Sequence, residues 1–290
     1  MADALVGGGG DDRRAVLITG SSSGIGRAAA IHFARKGWRV FASMRRPERA
    51  GALREEARSA GWALTTPALD VTSDDSVARA VGDLLVETGG RLDVLVNNAG
   101  YYAVGALEET STDELRAQLE TNVVGVHRVT RAVLPAMRAR RDGAIVTIGS
   151  ISGRVAVPMA GPYHASKWAL EGMIEALRYE LYPFGIRVTL VEPGPYRTEL
   201  HVNEVAAATS GRPDSPYAPL LAAYRRQAAA IRRDDLDALI EVIYRAATFP
   251  HPKLRWPVGP TSFVAGRLRA FCPDRLYELL MRIAFRIRAP

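Results

Sequence analysis

The sequence predicts an α/β protein with one doubly wound parallel sheet, helices on both faces and a helical C-terminal extension. Two observations carry this prediction. Short apolar segments of strand length alternate with amphipathic stretches of 10–25 residues over the first 200 residues. A glycine-rich turn joins the first such strand to the first helix, as expected of a βαβ unit. Because crossovers between parallel strands are right-handed, the alternation leads to a Rossmann-like sheet covered on both sides.

Each strand is assigned from a short apolar run that ends in turn residues. The first, 15–19, precedes the glycine turn, and the others predicted in the first 200 residues are 39–43, 63–69, 93–96, 144–149 and 187–191. The helices between them are expected to end near Lys36 and Ala60 and to span 73–88, 111–137 and 162–182. The long fourth helical region, 111–137, is expected to contain a bend.

The pattern weakens after Gly194, where proline, alanine and polar residues become frequent. We expect a lid at about 195–235, with helices at 217–231 and 235–247 and an edge strand at 254–258. The predicted organisation is a flexible tail at 1–13, one Rossmann-like α/β domain at 14–260, and a basic helical extension at 261–290 whose last helix spans 273–287.

Composition excludes several classes of protein. The chain has 290 residues, 48% hydrophobic and 24% charged, which is ordinary for a globular protein and ample for a core. It has no apolar run of about 18 residues, and its acidic, glycine-rich start does not resemble a secretory signal. The single cysteine, Cys272, suits a reducing compartment, so a cytoplasmic location is expected.

The net charge of +7 is concentrated at the C-terminus. Residues 251–290 contain eight basic and two acidic side chains, which leaves the first 250 residues nearly neutral. A nucleic-acid partner is therefore not expected. The last predicted helix has an apolar stripe beside Arg275, Arg282 and Arg286. Packing of this stripe on the domain or on a partner subunit is favoured over contact with a membrane surface.

The glycine-rich turn predicts a nucleotide site. Glycines let the backbone approach a pyrophosphate, and the following helix offers unpaired N–H groups to it. The turn has the spacing T-G-x-x-x-G-x-G, which differs from the G-x-G-x-x-G fingerprint of many dinucleotide sites. A simple structural turn is the alternative. The residues predicted to contact phosphates are Gly20, Ser21, Ser22, Ser23, Gly24, Ile25 and Gly26.

With its companion motifs, this turn resembles the short-chain dehydrogenase/reductase family. The companions are Asn97-Asn98-Ala99-Gly100 after the fourth strand, Ser150 followed by Tyr163-x-x-x-Lys167, Asn122 in the preceding helix, and Pro193-Gly194. The resemblance covers residues 14–200 in order and spacing. It implies an enzyme that oxidises or reduces CH–OH and C=O groups with a nicotinamide dinucleotide, acting as a homodimer or homotetramer.

Tyr163 and Lys167 lie four residues apart on one predicted helix, so their side chains point the same way. A phenol is too weak an acid to serve as a base at neutral pH unless a nearby ammonium lowers its pKa. We therefore expect Lys167 and the positive nicotinamide of a bound dinucleotide to lower the pKa of Tyr163, the proposed acid/base. Ser150 is expected to hydrogen-bond the carbonyl oxygen, and Asn122, as the resemblance implies, to hold a water that links Lys167 to solvent.

The second strand indicates which dinucleotide is bound. It ends Ser43-Met44-Arg45-Arg46, without the acidic residue that would bind a ribose 2′-hydroxyl. Guanidinium groups suit a 2′-phosphate, so NADP(H) is preferred over NAD(H), with Arg45 the main partner and Ser43 or Arg46 assisting. Solvated surface charge is the alternative. The resemblance adds further cofactor contacts at Asp70, Val71, Asn97, Ala99, Gly100, Tyr163, Lys167, Pro193, Gly194, Tyr196 and Thr198. A helix cap is the alternative role for Asp70.

Apolar residues after Ser150, including Val155, Val157 and Met159, favour a lipophilic ketone, aldehyde or alcohol as substrate. Apolar side chains that continue along the Tyr163 helix, such as Met173 and Leu177, favour assembly through that helix. A dinucleotide-sensing regulatory protein on the same fold is the alternative function, because fold alone does not fix function. The complete Asn122, Ser150, Tyr163 and Lys167 set favours the enzyme. The five histidines lack metal-ligand spacing, so no metal site is expected.

Overall fold

The computed structural model describes residues 12–196, 205–208, 210–212, 214–230 and 235–287. Its centre is a seven-stranded parallel sheet in the order β3-β2-β1-β4-β6-β7-β9. The nine strands are β1 (Ala15–Ile18), β2 (Arg39–Ala42), β3 (Leu64–Thr65), β4 (Val94–Asn97), β5 (Ala103–Val104), β6 (Gly143–Ile148), β7 (Ile186–Pro193), β8 (Val205–Ala206) and β9 (Arg255–Val258). The predicted doubly wound α/β fold is confirmed.

Ten α-helices surround the sheet in the described residues: α1 (Gly24–Arg35), α2 (Gly51–Ser59), α3 (Asp74–Glu87), α4 (Thr112–Leu119), α5 (Gly125–Arg140), α6 (Gly161–Leu181), α7 (Ala218–Ala230), α8 (Asp237–Thr248), α9 (Pro260–Phe271) and α10 (Asp274–Phe285). One face of the sheet buries Phe33 of α1 and Ile243 of α8. The other face buries Leu84 of α3, Val129 of α5 and Ile174 of α6. Both faces of the sheet are thus covered by apolar helix surfaces, which explains why its central strands are mainly apolar.

Strand order places the functional crevice. β1 pairs with β2 on one side and with β4 on the other, so the chain winds outward in both directions from this point. Ligands of such sheets bind where the winding reverses, outside the carboxyl ends of the strands. The segments that follow β1, β4, β6 and β7 contain the motifs described above, and parallel pairing brings them to one edge of the sheet.

Several elements differ from the sequence prediction. β3 has two residues instead of seven, and α9 was not predicted. The predicted helix 111–137 is two helices joined by a π-helical turn at Glu120–Val124, which accounts for the expected bend. β5 and β8 form a separate parallel pair that was also not foreseen. This pair fixes part of the predicted lid, since Ala207 N donates to Val104 O at 2.9 Å.

Candidate active site

A cavity of about 720 Å³ opens at the carboxyl ends of β1, β4, β6 and β7. Most of the residues predicted from sequence line it: Gly20, Ser22, Ser23, Gly24, Ile25, Arg45, Asp70, Val71, Ala99, Gly100, Asn122, Ser150, Tyr163, Lys167, Pro193, Gly194 and Tyr196. Five predicted residues are not part of the lining: Ser21, Gly26, Ser43 and Asn97, which are buried, and Arg46, which is exposed. Thr198 lies outside the described residues. The fold therefore brings both the proposed cofactor residues and the proposed catalytic residues to one cavity.

The glycine turn between β1 and α1 is packed backbone against backbone. Gly20 has a φ of +69°, and a Cβ there would lie 2.8 Å from Ala99 Cα. A Cβ on Gly26 would lie 2.4 Å from Gly20 O and 2.5 Å from Asn98 Nδ2. Asn98 secures the turn, because its Nδ2 donates to Thr19 O at 2.9 Å and to Gly20 O at 3.0 Å. Asn98 belongs to the Asn97-Asn98-Ala99-Gly100 motif but was not predicted as a site residue.

The amino end of α1 faces the cavity and fits an anion. Its N-cap residue, Ser23, makes no side-chain capping bond, and the first turn contains no acidic residue. The N–H groups of that turn can therefore receive a phosphate, as the sequence predicted. Ser21 and Ser43 have a structural role instead. Both side chains are fully buried, and their hydroxyls donate to Ile18 O at 2.9 and 3.2 Å, respectively. The proposed contact of the Ser43 side chain with a 2′-phosphate does not fit this placement.

Asp70 and Val71 border the end of the cavity where an adenine is expected. Asp70 Oδ1 accepts from Thr72 N at 3.0 Å and from Thr72 Oγ1 at 2.8 Å. The cap of α3 is Ser73, whose Oγ accepts from Ser76 N, so Asp70 is not the helix cap. Asn97 points away from the cavity and donates to Thr130 Oγ1 at 3.0 Å, which ties β4 to α5.

Two exposed arginines stand at the rim near the end of β2. Arg45 lines the cavity as predicted, whereas Arg46 does not. Arg49 lines it as well, although it lies four residues later in a 3₁₀ turn at Pro47–Ala50. The cavity lining therefore includes Arg45, the predicted main partner, and Arg49, which was not predicted, but not Arg46, which was predicted to assist. The 3₁₀ turn that follows β2 places Arg49 at the cavity.

Tyr163, Ser150 and Lys167 form a buried cluster in the cavity wall. Tyr163 is 5% exposed, and its hydroxyl hydrogen-bonds that of Ser150. The Nζ of Lys167, one helical turn away, donates to Ile148 O at 2.8 Å and lies 5.6 Å from the Tyr163 ring centroid. Ser150 lies just beyond β6 and Lys167 bonds the last residue of that strand. This arrangement anchors α6 to the sheet at the reacting group.

The protein's own groups, without the nicotinamide that the expectation also invoked, leave the pKa of Tyr163 above its ordinary value. Burial raises the pKa of Tyr163 to about 12, and the Ser150 hydrogen bond opposes this only in part. Burial also lowers the pKa of Lys167 to about 8. Removal from water disfavours whichever form is charged, so it acts in opposite directions on a phenol and an amine. Near neutral pH, Tyr163 is therefore held as the phenol, the form that can donate a proton.

The side chain of Asn122 is engaged in holding the backbone around the site. Its Oδ1 accepts from Tyr101 N at 3.1 Å, and its Nδ2 donates to Tyr101 O and to Ser166 Oγ, each at 3.1 Å. These bonds join the π-helical turn to the segment after β4 and to α6. They show that the side chain of Asn122 positions the backbone around the site, and the water relay through this residue stays a prediction.

His164 organises the loop after Ser150. Its Nε2 accepts from Val157 N and its Nδ1 donates to Ser152 O, both at 3.1 Å. A neutral imidazole satisfies both bonds, and burial lowers the pKa of His164 in keeping with this.

The wall beyond Tyr163 is largely apolar. Tyr102 packs against Tyr163 with ring centroids 4.3 Å apart, and its hydroxyl lies 2.6 Å from that of Tyr224 on α7. Val157, Met159, Leu221 and other apolar side chains complete this cluster. Sequence reasoning missed Tyr102 and Tyr224, because neither stands in a motif and only the tertiary fold brings them to Tyr163.

A family model described as short chain dehydrogenase matches residues 14–208. The chain belongs to this family. One relative is the 3-ketodihydrosphingosine reductase of Bacteroides thetaiotaomicron. It is 35% identical over 280 residues, which cover 94% of this chain and 98% of the relative. Bovine retinol dehydrogenase 8 is 44% identical over 193 residues, which cover 65% of this chain and 61% of the bovine protein. The solved structure of a short-chain dehydrogenase from Streptomyces avermitilis superposes with a TM-score of 0.80 at 33% identity. The superposition covers 94% of this chain and 97% of the Streptomyces chain.

The short-chain dehydrogenase fold binds a nicotinamide dinucleotide, and the residues of this cavity fit one. Because Gly20 and Gly26 have no side chains, the backbone of the turn can approach a pyrophosphate. The uncapped first turn of α1 supplies backbone N–H donors to it. Tyr163 and Lys167 lie at the other end of the same cavity. The protein is therefore an oxidoreductase of this family, and the cavity at this edge of the sheet fits the dinucleotide that the fold binds.

Proposed function

We propose that this enzyme interconverts a lipophilic ketone or aldehyde and the corresponding alcohol, with NADP(H) preferred over NAD(H). The observation that carries the proposal is the buried Tyr163 phenol, hydrogen-bonded to Ser150 and one helical turn from Lys167 at the inner end of the dinucleotide cavity. Few other reaction classes require a phenol, a hydroxyl and a buried amine beside a nicotinamide site.

The chain's own residues supply the proton and position the carbonyl. The nicotinamide supplies a hydride when bound, because side chains cannot. Tyr163 then donates its hydroxyl proton to the carbonyl oxygen while the carbon gains the hydride, which completes the alcohol. Ser150 stabilises the negative charge that develops on that oxygen. Lys167 reprotonates the phenolate, and all transfers reverse in oxidation.

Arg45 and Arg49 support the NADP(H) preference. Both line the end of the cavity beside β2, where the ribose of the adenosine half is expected. Guanidinium groups bind phosphate oxygens with charge-assisted hydrogen bonds, which a 2′-hydroxyl would not match. The second strand has no acidic residue to favour NAD(H).

The apolar wall around Tyr163 supports a lipophilic substrate. Val157, Met159 and Leu221 would bury a hydrocarbon portion, whereas a sugar would leave its hydroxyls unpaired there. Two relatives, a 3-ketodihydrosphingosine reductase and a retinol dehydrogenase, are named for lipid substrates. We infer the same substrate class for this chain.

A screen of ketones and aldehydes of graded chain length, followed by NADPH absorbance, tests this function. We expect turnover that improves with hydrocarbon length and is faster with NADPH than with NADH. Tight NADPH binding with no turnover of any carbonyl compound would instead support a dinucleotide-sensing regulator.

We also propose that the enzyme forms a homodimer or homotetramer through α6. The helix side chains that suggested this from sequence, such as Met173 and Leu177, pack toward the core. Exposed Trp168 and Tyr179 on the outer face of α6 now carry the proposal. Light scattering of the full chain tests it, and a monomer at micromolar concentration would contradict it.

A further inference from the structure

The two C-terminal helices, α9 and α10, have apolar faces that are not buried by the fold. On α9, Val264, Leu268 and Phe271 are exposed, the last at 87%. On α10, Leu276, Leu279 and Ile283 are exposed, with Ile283 at 66%. Spacings of three and four residues place each set on one side of its helix. Exposed apolar surface of this extent marks an interaction site.

The opposite faces of the same helices pack on the domain. α10 lies against α7 and contributes Phe285 to the apolar cluster that contains Tyr163. Tyr277 Oη donates to Ala156 O at 3.1 Å, which joins α10 to the loop after Ser150. The expected packing of this segment therefore accounts for its inner face only, and the outer stripe remains to be explained.

A row of arginines borders the outer stripe of α10. Arg275, Arg282 and Arg286 follow one another at helical spacing beside Leu279 and Ile283. Among the described residues, none of the three makes an ion pair. The neighbouring Asp274 is already paired with Arg269, Oδ1 to Nη2 at 2.9 Å. Glu278 lies on the same helix, three residues after Arg275 and four before Arg282, so the edge of this apolar surface has a net positive charge that is only partly offset.

We propose that α9 and α10 form a docking surface for a bilayer that carries anionic headgroups. A helix with an apolar face and an arginine edge lies in the plane of such an interface, with its apolar side chains inserted about 5–10 Å. The arginines extend toward the headgroups while their stems cover apolar surface. No helix in the described part of the chain is long and apolar enough to cross a membrane, so docking is peripheral.

Charge favours an anionic bilayer over a second copy of the chain as the occupant. Two copies joined through this patch by a two-fold axis would bring two arginine rows into one contact. Anionic headgroups neutralise the row instead. The docking surface also includes the outer side of α10, whose inner side contributes Phe285 to the Tyr163 cluster. If the substrate is lipophilic, as proposed above, the enzyme would work beside the phase in which its substrate dissolves.

Co-sedimentation of the full chain with vesicles tests the proposal without any need for turnover. We expect binding to phosphatidylcholine vesicles that contain phosphatidylserine, weaker binding to phosphatidylcholine alone, and release by salt. The double variant Leu279→Glu/Ile283→Glu should bind at least about 100-fold more weakly. The triple variant Arg275→Gln/Arg282→Gln/Arg286→Gln should lose about fivefold per arginine.

Val86→Glu is the matched control, because Val86 is an 85% exposed apolar residue on α3 and should leave binding unchanged. Thermal unfolding and NADPH binding confirm that each variant is folded. Absence of vesicle binding by the wild type would overturn the proposal. So would vesicle binding that the α10 variants leave intact. Loss of oligomers in the same variants, without vesicle binding by the wild type, would identify a second copy as the occupant.

Discussion

Gly26→Ala tests whether NADPH binding and stability depend on the close packing of the glycine turn. The added Cβ would lie 2.4 Å from Gly20 O and 2.5 Å from Asn98 Nδ2, well inside normal contact. The Asn98 amide must then move, which breaks its bonds to Thr19 O and Gly20 O. Two neutral hydrogen bonds contribute about 1–3 kcal/mol together. Overpacking costs about 1–3 kcal/mol more, and the better helix propensity of alanine returns about 1 kcal/mol.

The net loss of about 1–5 kcal/mol should appear in two assays. Urea unfolding should show a lower midpoint, and fluorescence titration should show at least tenfold weaker NADPH binding, because the displaced turn is the one that receives the pyrophosphate. Gly172→Ala is the matched control. It lies inside α6 with no atom near the added Cβ and should stabilise the protein by about 0.5–1 kcal/mol. A Gly26→Ala protein with wild-type NADPH affinity and wild-type unfolding would refute the reasoning.

Two further changes test the rim and the interior. Arg45→Ala should weaken NADPH binding by about tenfold or more and leave NADH binding unchanged, because only the 2′-phosphate loses a charge-assisted bond. Arg46→Ala is the control: Arg46 does not line the cavity, so neither affinity should change. Equal losses of NADPH and NADH affinity in Arg45→Ala would contradict the assignment of Arg45 to the 2′-phosphate. Burial raises the pKa of Glu171 to about 7, against the pull of Arg255. The folded chain then binds more protons than the unfolded chain between pH 4.5 and 7, so this group's contribution to stability is full below pH 4.5 and is lost as pH rises through 7. Urea unfolding at pH 5 and pH 8 should show a larger fall for the wild type than for Glu171→Gln, and parallel falls would contradict this.

The central fold and the reacting group could be predicted because they depend on local patterns. Strand and helix alternation fixes a parallel sheet, and the four-residue spacing of Tyr163 and Lys167 places them on one side of a helix. Ser150 and the glycine turn follow strands, so the sheet itself brings them to one edge. These features need no knowledge of how distant segments pack.

The features that were missed depend on tertiary contacts. Arg49 reaches the cavity through a 3₁₀ turn, and Tyr224 reaches Tyr163 from α7 far along the chain. Ser43 follows directly on the β2 strand, but its hydroxyl bonds the neighbouring strand and not the cavity. The raised pKa of Tyr163 has the same origin. Burial among Tyr102 and its neighbours outweighs the nearby ammonium, and a sequence does not display burial.

Tyr163→Phe tests the central claim most directly, because it removes one hydroxyl and keeps the ring that packs on Tyr102. With the carbonyl compound found to turn over fastest, we predict that kcat falls by about 10²–10⁴-fold, the contribution of a positioned general acid. NADPH affinity should stay close to wild type, since the lost hydroxyl lies away from the glycine turn. A Tyr163→Phe enzyme that reduces the same carbonyl compound at the wild-type rate would contradict the account.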